Sequence, residues 1–188
     1  MANRESQTFR AQALTVNMEP EQARTIVVKM AQMAVVKSVP GHPVFLKTTL
    51  GSCVGVILTD RKTGISGMAH IMLPEKSAND QVAGKYVDSA VPEMFARMAE
   101  QGAESGVEAF VLGGACMFHS EGGVAFTDIG KRNLEAARKT IRSLKIPIKF
   151  EDTGGTQGRT VIFDCQSAEV TVRTLQKMEM PPKDRKSE

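Results

Sequence analysis

Short apolar runs broken by turn residues fill the first third of the chain, and helical spacing begins only after them. Residues 25–54, "TIVVKMAQMAVVKSVPGHPVFLKTTLGSCV", alternate such runs with a turn at Val39-Pro40-Gly41, which predicts a strand-rich opening. "CVGVILT" and "GISGMAHIML" flank the polar turn Asp60-Arg61-Lys62-Thr63-Gly64, the pattern of a β-hairpin. Beyond a loop around "PEKSANDQVAG", Val87, Val91, Met94, Phe95 and Met98 recur at helical spacing. Pro92 falls inside that stretch and predicts a kink or a helix start near itself, and Gly102 supplies a stop. "VEAFVLGG" reads as a strand running into a glycine pair. A second helix is expected over about 131–144, with Leu134, Ala137, Ile141 and Leu144 as its stripe and Thr127 or Asp128 as its cap. "IPIKFEDTGG", "RTVIFD" and "EVTVRTL" complete the strand candidates. Many short strands with two main helices predict a layered α+β domain (in the broad sense α/β), with β-sheet layers flanked by helices.

The 188 residues suit one folded domain with a sizeable core. We place it at residues 24–176, after a polar, aperiodic and flexible N-terminal extension, 1–23, and before a mobile charged tail, 177–188. With eight Phe, one Tyr and no Trp, the core rests on aliphatic residues and methionine; Met30, Met33, Met68, Met72, Met94 and Met98 read mostly as core filler. The net charge of +3 is weak and its basic residues are scattered, so no nucleic-acid partner is expected. Three cysteines, Cys53, Cys116 and Cys165, are too few for a disulfide framework. No apolar run approaches the ~20 residues of a membrane span, and "MANRESQTFRAQ" lacks a secretory apolar region. A cytoplasmic protein without membrane insertion is expected.

The candidate chemistry sits in the hairpin. A thiol nucleophile needs a base within hydrogen-bond reach, and His70 lies 17 positions after Cys53. If Thr59 faced Gly64 across a four-residue loop, Cys53 would lie opposite His70. An odd loop would put the two on different faces. Gly51 and Ser52 place the thiol at a strand mouth, and amides near Ser52 and Cys53 are candidate oxyanion donors. An adjacent histidine would favour thiolate. Thr48, Thr49 and a backbone carbonyl are the available orienters of the imidazole. From spacing alone, the plainer reading is favoured: Cys53 a small buried hydrophobe, His70 a satisfied strand histidine.

"LGSCVGVILTD", "GISGMAHIMLP", "GKYVDSAVPEMF", "VLGGACMF", "IGKRNLEAARKTI" and "EDTGGTQGRTVIFD", in this order, resemble the CheD family of chemoreceptor glutamine deamidases over residues ~25–176. The resemblance implies β-sheet layers flanked by helices, similar to toxin-type deamidases. It also implies a cysteine hydrolase that converts specific glutamines of chemoreceptor (methyl-accepting chemotaxis protein) cytoplasmic helices to glutamate, through a cysteine thioester and with release of ammonia. Cys53 matches the family's nucleophile and His70 its histidine. Its third group is a threonine a few residues ahead of the cysteine; counted without gaps that position is Lys47, and Thr48 is taken before Thr49. The regulatory partner implied is a CheC-type phosphatase, in organisms that have one. No cofactor or metal is implied. The alternatives are a non-catalytic chemotaxis adaptor that binds receptors or a CheC-type phosphatase, and a cysteine hydrolase or transglutaminase acting on another amide.

Other constellations read more plainly. Cys116 and His119, with Cys53 and His70, make four soft ligands, but paired zinc-type spacings are missing. Gly113-Gly114-Ala115 either pass near the active site or form a strand-end turn, and Cys116 is packing. "DTGGTQGR", 152–159, is followed by a strand rather than a helix start, which disfavours phosphate binding; it is expected near the site or at a partner surface. Tyr86 and Asp88 either face substrate or begin a solvated helix, the default. His42 is expected in an exposed loop.

Overall fold

The computed structural model describes residues 23–104, 106–116 and 129–174. The expected extension and tail, His119 and the cap residues Thr127 and Asp128 lie outside them. The element order is β1 (Arg24–Val27), β2 (Met33–Lys37), β3 (Val44–Leu50), β4 (Val54–Asp60), β5 (Ile65–Ile71), a 3-10 turn (Ala83–Lys85), α1 (Val87–Glu100), β6 (Val107–Gly113), α2 (Ile129–Ser143), β7 (Ile148–Thr153), β8 (Arg159–Asp164) and β9 (Glu169–Thr174). Two mixed sheets result. One has the order β1-β3-β8-β9, the other β2-β5-β4-β6-β7, and each carries one parallel pair, β1 with β3 and β6 with β7.

The sequence of β4 and β5 explains the layering. Both strands are buried at all seven positions, so neither face meets water, as in a central layer. Val54, Val56, Leu58, Ala69 and Ile71 pack against α1 and α2, with Val91, Met94, Leu134 and Ile141. Ile57, Met68, Phe110 and Leu112 point the other way, against Leu46, Leu50, Val161 and Phe163 of the four-stranded sheet. Helices, five-stranded sheet and four-stranded sheet thus form three layers around two apolar cores. Each fully buried aliphatic or aromatic side chain contributes about 1.5–3 kcal/mol. Phe110 and Phe163 add an edge contact, 5.5 Å between centroids at 63°.

Helix α1 begins at Val87 and continues through Pro92, so Pro92 is not its start. The first turn is fixed earlier, where the Val87 N–H donates to the Leu73 carbonyl. Its end is as expected: Gly102 has φ 99°, and the next N–H, of Ala103, returns to the Met98 carbonyl. Met30 departs from the core reading and is 59% exposed, because it occupies the tight turn between β1 and β2, where Ala31 takes a positive φ.

Candidate active site

The β4–β5 loop holds four residues, 61–64, with Asp60 opposite Ile65. The register therefore lies two residues from the one that would face Cys53 with His70: Gly55 is opposite His70. A shift of two preserves the face. Cys53, at the end of the bend 51–53, packs against the inter-sheet core, and His70 shares that face with Met68. Having no side chain, Gly55 leaves the space opposite the imidazole to Leu50, whose Cδ1 would lie 2.8 Å from a Cβ built there.

The four-stranded sheet brings Thr48 to His70. Thr48 is on β3, opposite Val161, and is 2% exposed. Its Oγ1 lies 2.8 Å from the Val28 carbonyl oxygen and 2.8 Å from His70 Nδ1. A carbonyl can only accept, so the threonine proton goes to Val28 and the hydroxyl oxygen accepts from Nδ1–H. Nδ1 therefore carries the ring proton and Nε2 is left as the basic nitrogen. The backbone of His70 is fixed as well: its N–H donates to the Gln32 carbonyl, and its carbonyl accepts from Ala31. Thr49 points the opposite way, exposed and paired with the Thr160 hydroxyl at 3.2 Å. Of the two threonines, the fold brings Thr48 to the histidine and keeps Thr49 away.

The bend that carries Cys53 is held by its carbonyls. That of Gly51 accepts from Ala115 N–H at 2.9 Å, and that of Cys53 from Gly114 N–H at 2.8 Å. Asn133 of α2 directs its side-chain amide to the carbonyls of Ser52, at 3.4 Å, and Met72, at 2.9 Å. Gly113 has φ 94°, and a Cβ there would sit 2.4 Å from the Cys53 oxygen. Only glycine accommodates both conditions. The glycine pair thus runs along the thiol loop rather than ending in an isolated turn. The 152–155 segment lies behind it, with Gly154 N–H donating to Gly113 and Cys116 N–H to Gly155. Buried Arg159 ties that segment together through the carbonyls of Asp152 and Gly154 and the Asp152 carboxylate.

Burial pushes the Cys53 thiol above its ordinary value, partly offset by its own backbone N–H. Burial also pushes His70 below its ordinary 6.5, opposed by the Val28 carbonyl. Both shifts favour the neutral forms, thiol and imidazole, over the thiolate expected from the sequence. Desolvation is the largest cause for each group. Tyr86 and Asp88 do not form part of this site: the Tyr86 hydroxyl donates to Asp80, and Asp88 accepts the Lys76 N–H. His42 is exposed, as expected. No group of three metal-ligating side chains occurs among the described residues.

Val28 and Asn133 were not singled out from the sequence, whereas Gly114 and Arg159 stand in segments expected near the site. Asn133 carried a readable signal, a polar residue four and eight positions before the stripe residues Ala137 and Ile141. The Val28 contribution is a main-chain carbonyl and leaves no signal in residue identity.

The CheD family, described as chemotactic sensory transduction, matches residues 72–174. A protein of Methanococcus vannielii named "Probable chemoreceptor glutamine deamidase CheD" is 40% identical over 148 residues, 78% of this chain and 92% of its own. A span of that length cannot avoid residues 48–70. A Clostridium novyi protein of the same name is 40% identical over 129 residues, 67% of this chain and 80% of its own. No helix among the described residues is long and apolar enough to cross a membrane. By the family match and by these relatives, the chain belongs to the CheD family.

Proposed function

We propose that this chain is a protein-glutamine deamidase whose substrates are glutamines on chemoreceptor cytoplasmic helices, with Cys53 as nucleophile, His70 as base and acid, and Thr48 as the group that orients the imidazole. The names of the relatives support the reaction and the substrate class. The observation that carries the residue roles is the Thr48 contact to His70 Nδ1, which leaves Nε2 as a free base on the face that holds the thiol.

The reaction follows from the neutral pair. Nε2 takes the thiol proton as Sγ attacks the glutamine carboxamide carbon. The oxygen gains the charge, and the backbone N–H of Cys53 is the nearest candidate to receive it. Collapse breaks the C–N bond, the imidazolium proton passes to the leaving nitrogen, and ammonia departs. Nε2 then deprotonates a water that attacks the thioester. Glutamate leaves and the thiol recovers its proton. One water is consumed and one ammonia released. No organic cofactor or metal enters these steps. A CheC-type phosphatase belongs to this proposal as the regulatory partner, and the cytoplasm as the compartment where receptor helices are met.

The test is mass spectrometry of receptor cytoplasmic fragments after incubation with the protein. The expected result is a gain of ~1 Da at particular glutamines, the mass difference of amide hydrolysis, absent with Cys53→Ala. A gain that persists in Cys53→Ala sinks the nucleophile assignment. No gain on any cognate fragment favours a non-catalytic adaptor.

A further inference from the structure

Asn133 is fully buried in α2, where a leucine would pack without polar cost. Its amide group donates to two carbonyls distant in sequence, and its Oδ1 finds no hydrogen-bond partner among the described residues. An unpaired buried acceptor costs about 1–3 kcal/mol, so stability alone gives little reason for asparagine here. The two acceptors fix the side-chain orientation, since the flipped amide would aim its oxygen at two carbonyl oxygens.

The peptide that Asn133 holds is the one joining Ser52 to Cys53. No peptide bond is cis, so within this planar unit the C=O and N–H point in opposite directions. Asn133 draws the Ser52 carbonyl toward the helical layer, where its neighbour Leu134 packs. The Cys53 N–H must then point toward the inter-sheet layer that receives the Cys53 side chain. The thiol lies close enough to its own N–H to be influenced by it. A flip of this peptide would replace the donor with a carbonyl oxygen, which would repel a developing oxyanion.

We propose that Asn133 is a positioning residue for the deamidation: it locks the Ser52–Cys53 peptide so that the Cys53 N–H stands ready as the oxyanion donor. The inference rests on the reading of Cys53 as nucleophile, and two chemical probes separate the two claims. Acylation of Cys53 by p-nitrophenyl acetate passes through a tetrahedral oxyanion: the S–C bond forms, then the bond to nitrophenolate breaks. Alkylation by iodoacetamide displaces iodide directly and forms no oxyanion.

For Asn133→Ala, acylation and the kcat for receptor deamidation should each fall about 10²-fold, the loss expected for one oxyanion donor. KM and the alkylation rate of Cys53, followed on its own peptide by mass spectrometry, should stay within about threefold. A parallel fall in acylation and alkylation would mean a displaced thiol and a merely structural Asn133, and overturns the proposal; so does no fall in either. Asn133→Asp keeps the shape without the amide donors and repeats the test if the alanine variant does not fold. A readout needing no variant is the Cys53 amide proton by NMR. Adding a small aldehyde, which forms a hemithioacetal on the thiol, should move that proton downfield, and an unmoved signal overturns the assignment. Deamidation that survives Cys53→Ala would instead remove the underlying nucleophile reading, whatever Asn133 does.

Discussion

The two halves of the candidate site are built by different means. His70 and Thr48 stand on regular strands of two facing sheets, His70 opposite Gly55 of β4 and bonded through its backbone to Ala31 and Gln32, Thr48 opposite Val161 of β8. Cys53 stands on an irregular bend whose three carbonyls are held by Gly114, Ala115 and Asn133, all more than sixty residues away in sequence. The imidazole is placed by strand register, the thiol by long-range tethers. A strand tolerates the loss of one neighbour because its register is fixed many times over. A bend held by three contacts does not. Substitutions near the histidine should therefore act through its chemistry, and substitutions near the cysteine through its position.

The largest effects come from the reacting groups. Cys53→Ala should reduce deamidation to background, and His70→Ala should lower kcat about 10²–10⁴-fold, the usual worth of a positioned acid–base group, both read on receptor fragments. Gly113→Ala should come next and tests the tethered half. Its φ of 94° and the 2.4 Å approach to the Cys53 oxygen force the loop to move. A loss of about 1–3 kcal/mol in denaturant unfolding is expected, together with slower iodoacetamide alkylation of Cys53. Unchanged alkylation would show that the loop does not depend on this contact.

Thr48→Val tests the register-built half. It leaves Nδ1–H and the Val28 carbonyl unpaired and should cost about 1–3 kcal/mol of stability. A fall in kcat of about tenfold is expected from the loss of the ring's orientation. Thr49→Val, one residue on, should change stability by no more than about 0.5 kcal/mol and leave activity within about twofold. Equal effects at the two positions would break the distinction.

The pH dependence is the subtlest test. His70 is held below 6.5 by burial, so the imidazole is neutral at pH 7 and must be protonated to lose activity. The acidic limb of kcat/KM should therefore lie below 6.5. The native state disfavours the imidazolium, so His70's contribution to stability is present above 6.5 and is lost as pH falls from there through its depressed pKa. An acidic limb at or above 6.5 would contradict an imidazole held below its ordinary value.

Legibility from sequence divides along the same line. The hairpin, the helical stripes and the layered α+β class follow from hydrophobic period, which the packing of β4, β5, α1 and α2 obeys. That Cys53 and His70 share a face needed only the parity of the loop, although the register itself was off by two. The choice of Thr48 over Thr49 depended on which face of β3 meets the second sheet, a tertiary fact. The exposure of Met30 and the helical course through Pro92 depended on a turn and on the Leu73 contact. Residue period does not encode either. Least legible were the main-chain contacts, the Gly114 and Ala115 amides on the Cys53 loop and the Val28 carbonyl on Thr48, since they act without side chains. The direction of the thiol's shift was also hidden, because it reflects burial between layers rather than the neighbouring histidine.

A covalent glutamyl thioester on Cys53 would be open to attack by hydroxylamine. Present with a receptor fragment, hydroxylamine competes with water for the thioester, and the wild-type protein should yield hydroxamate at the same glutamines that otherwise become glutamate. Cys53→Ala should yield neither product. Hydroxamate from the alanine variant, or glutamate alone at saturating hydroxylamine, would contradict the account.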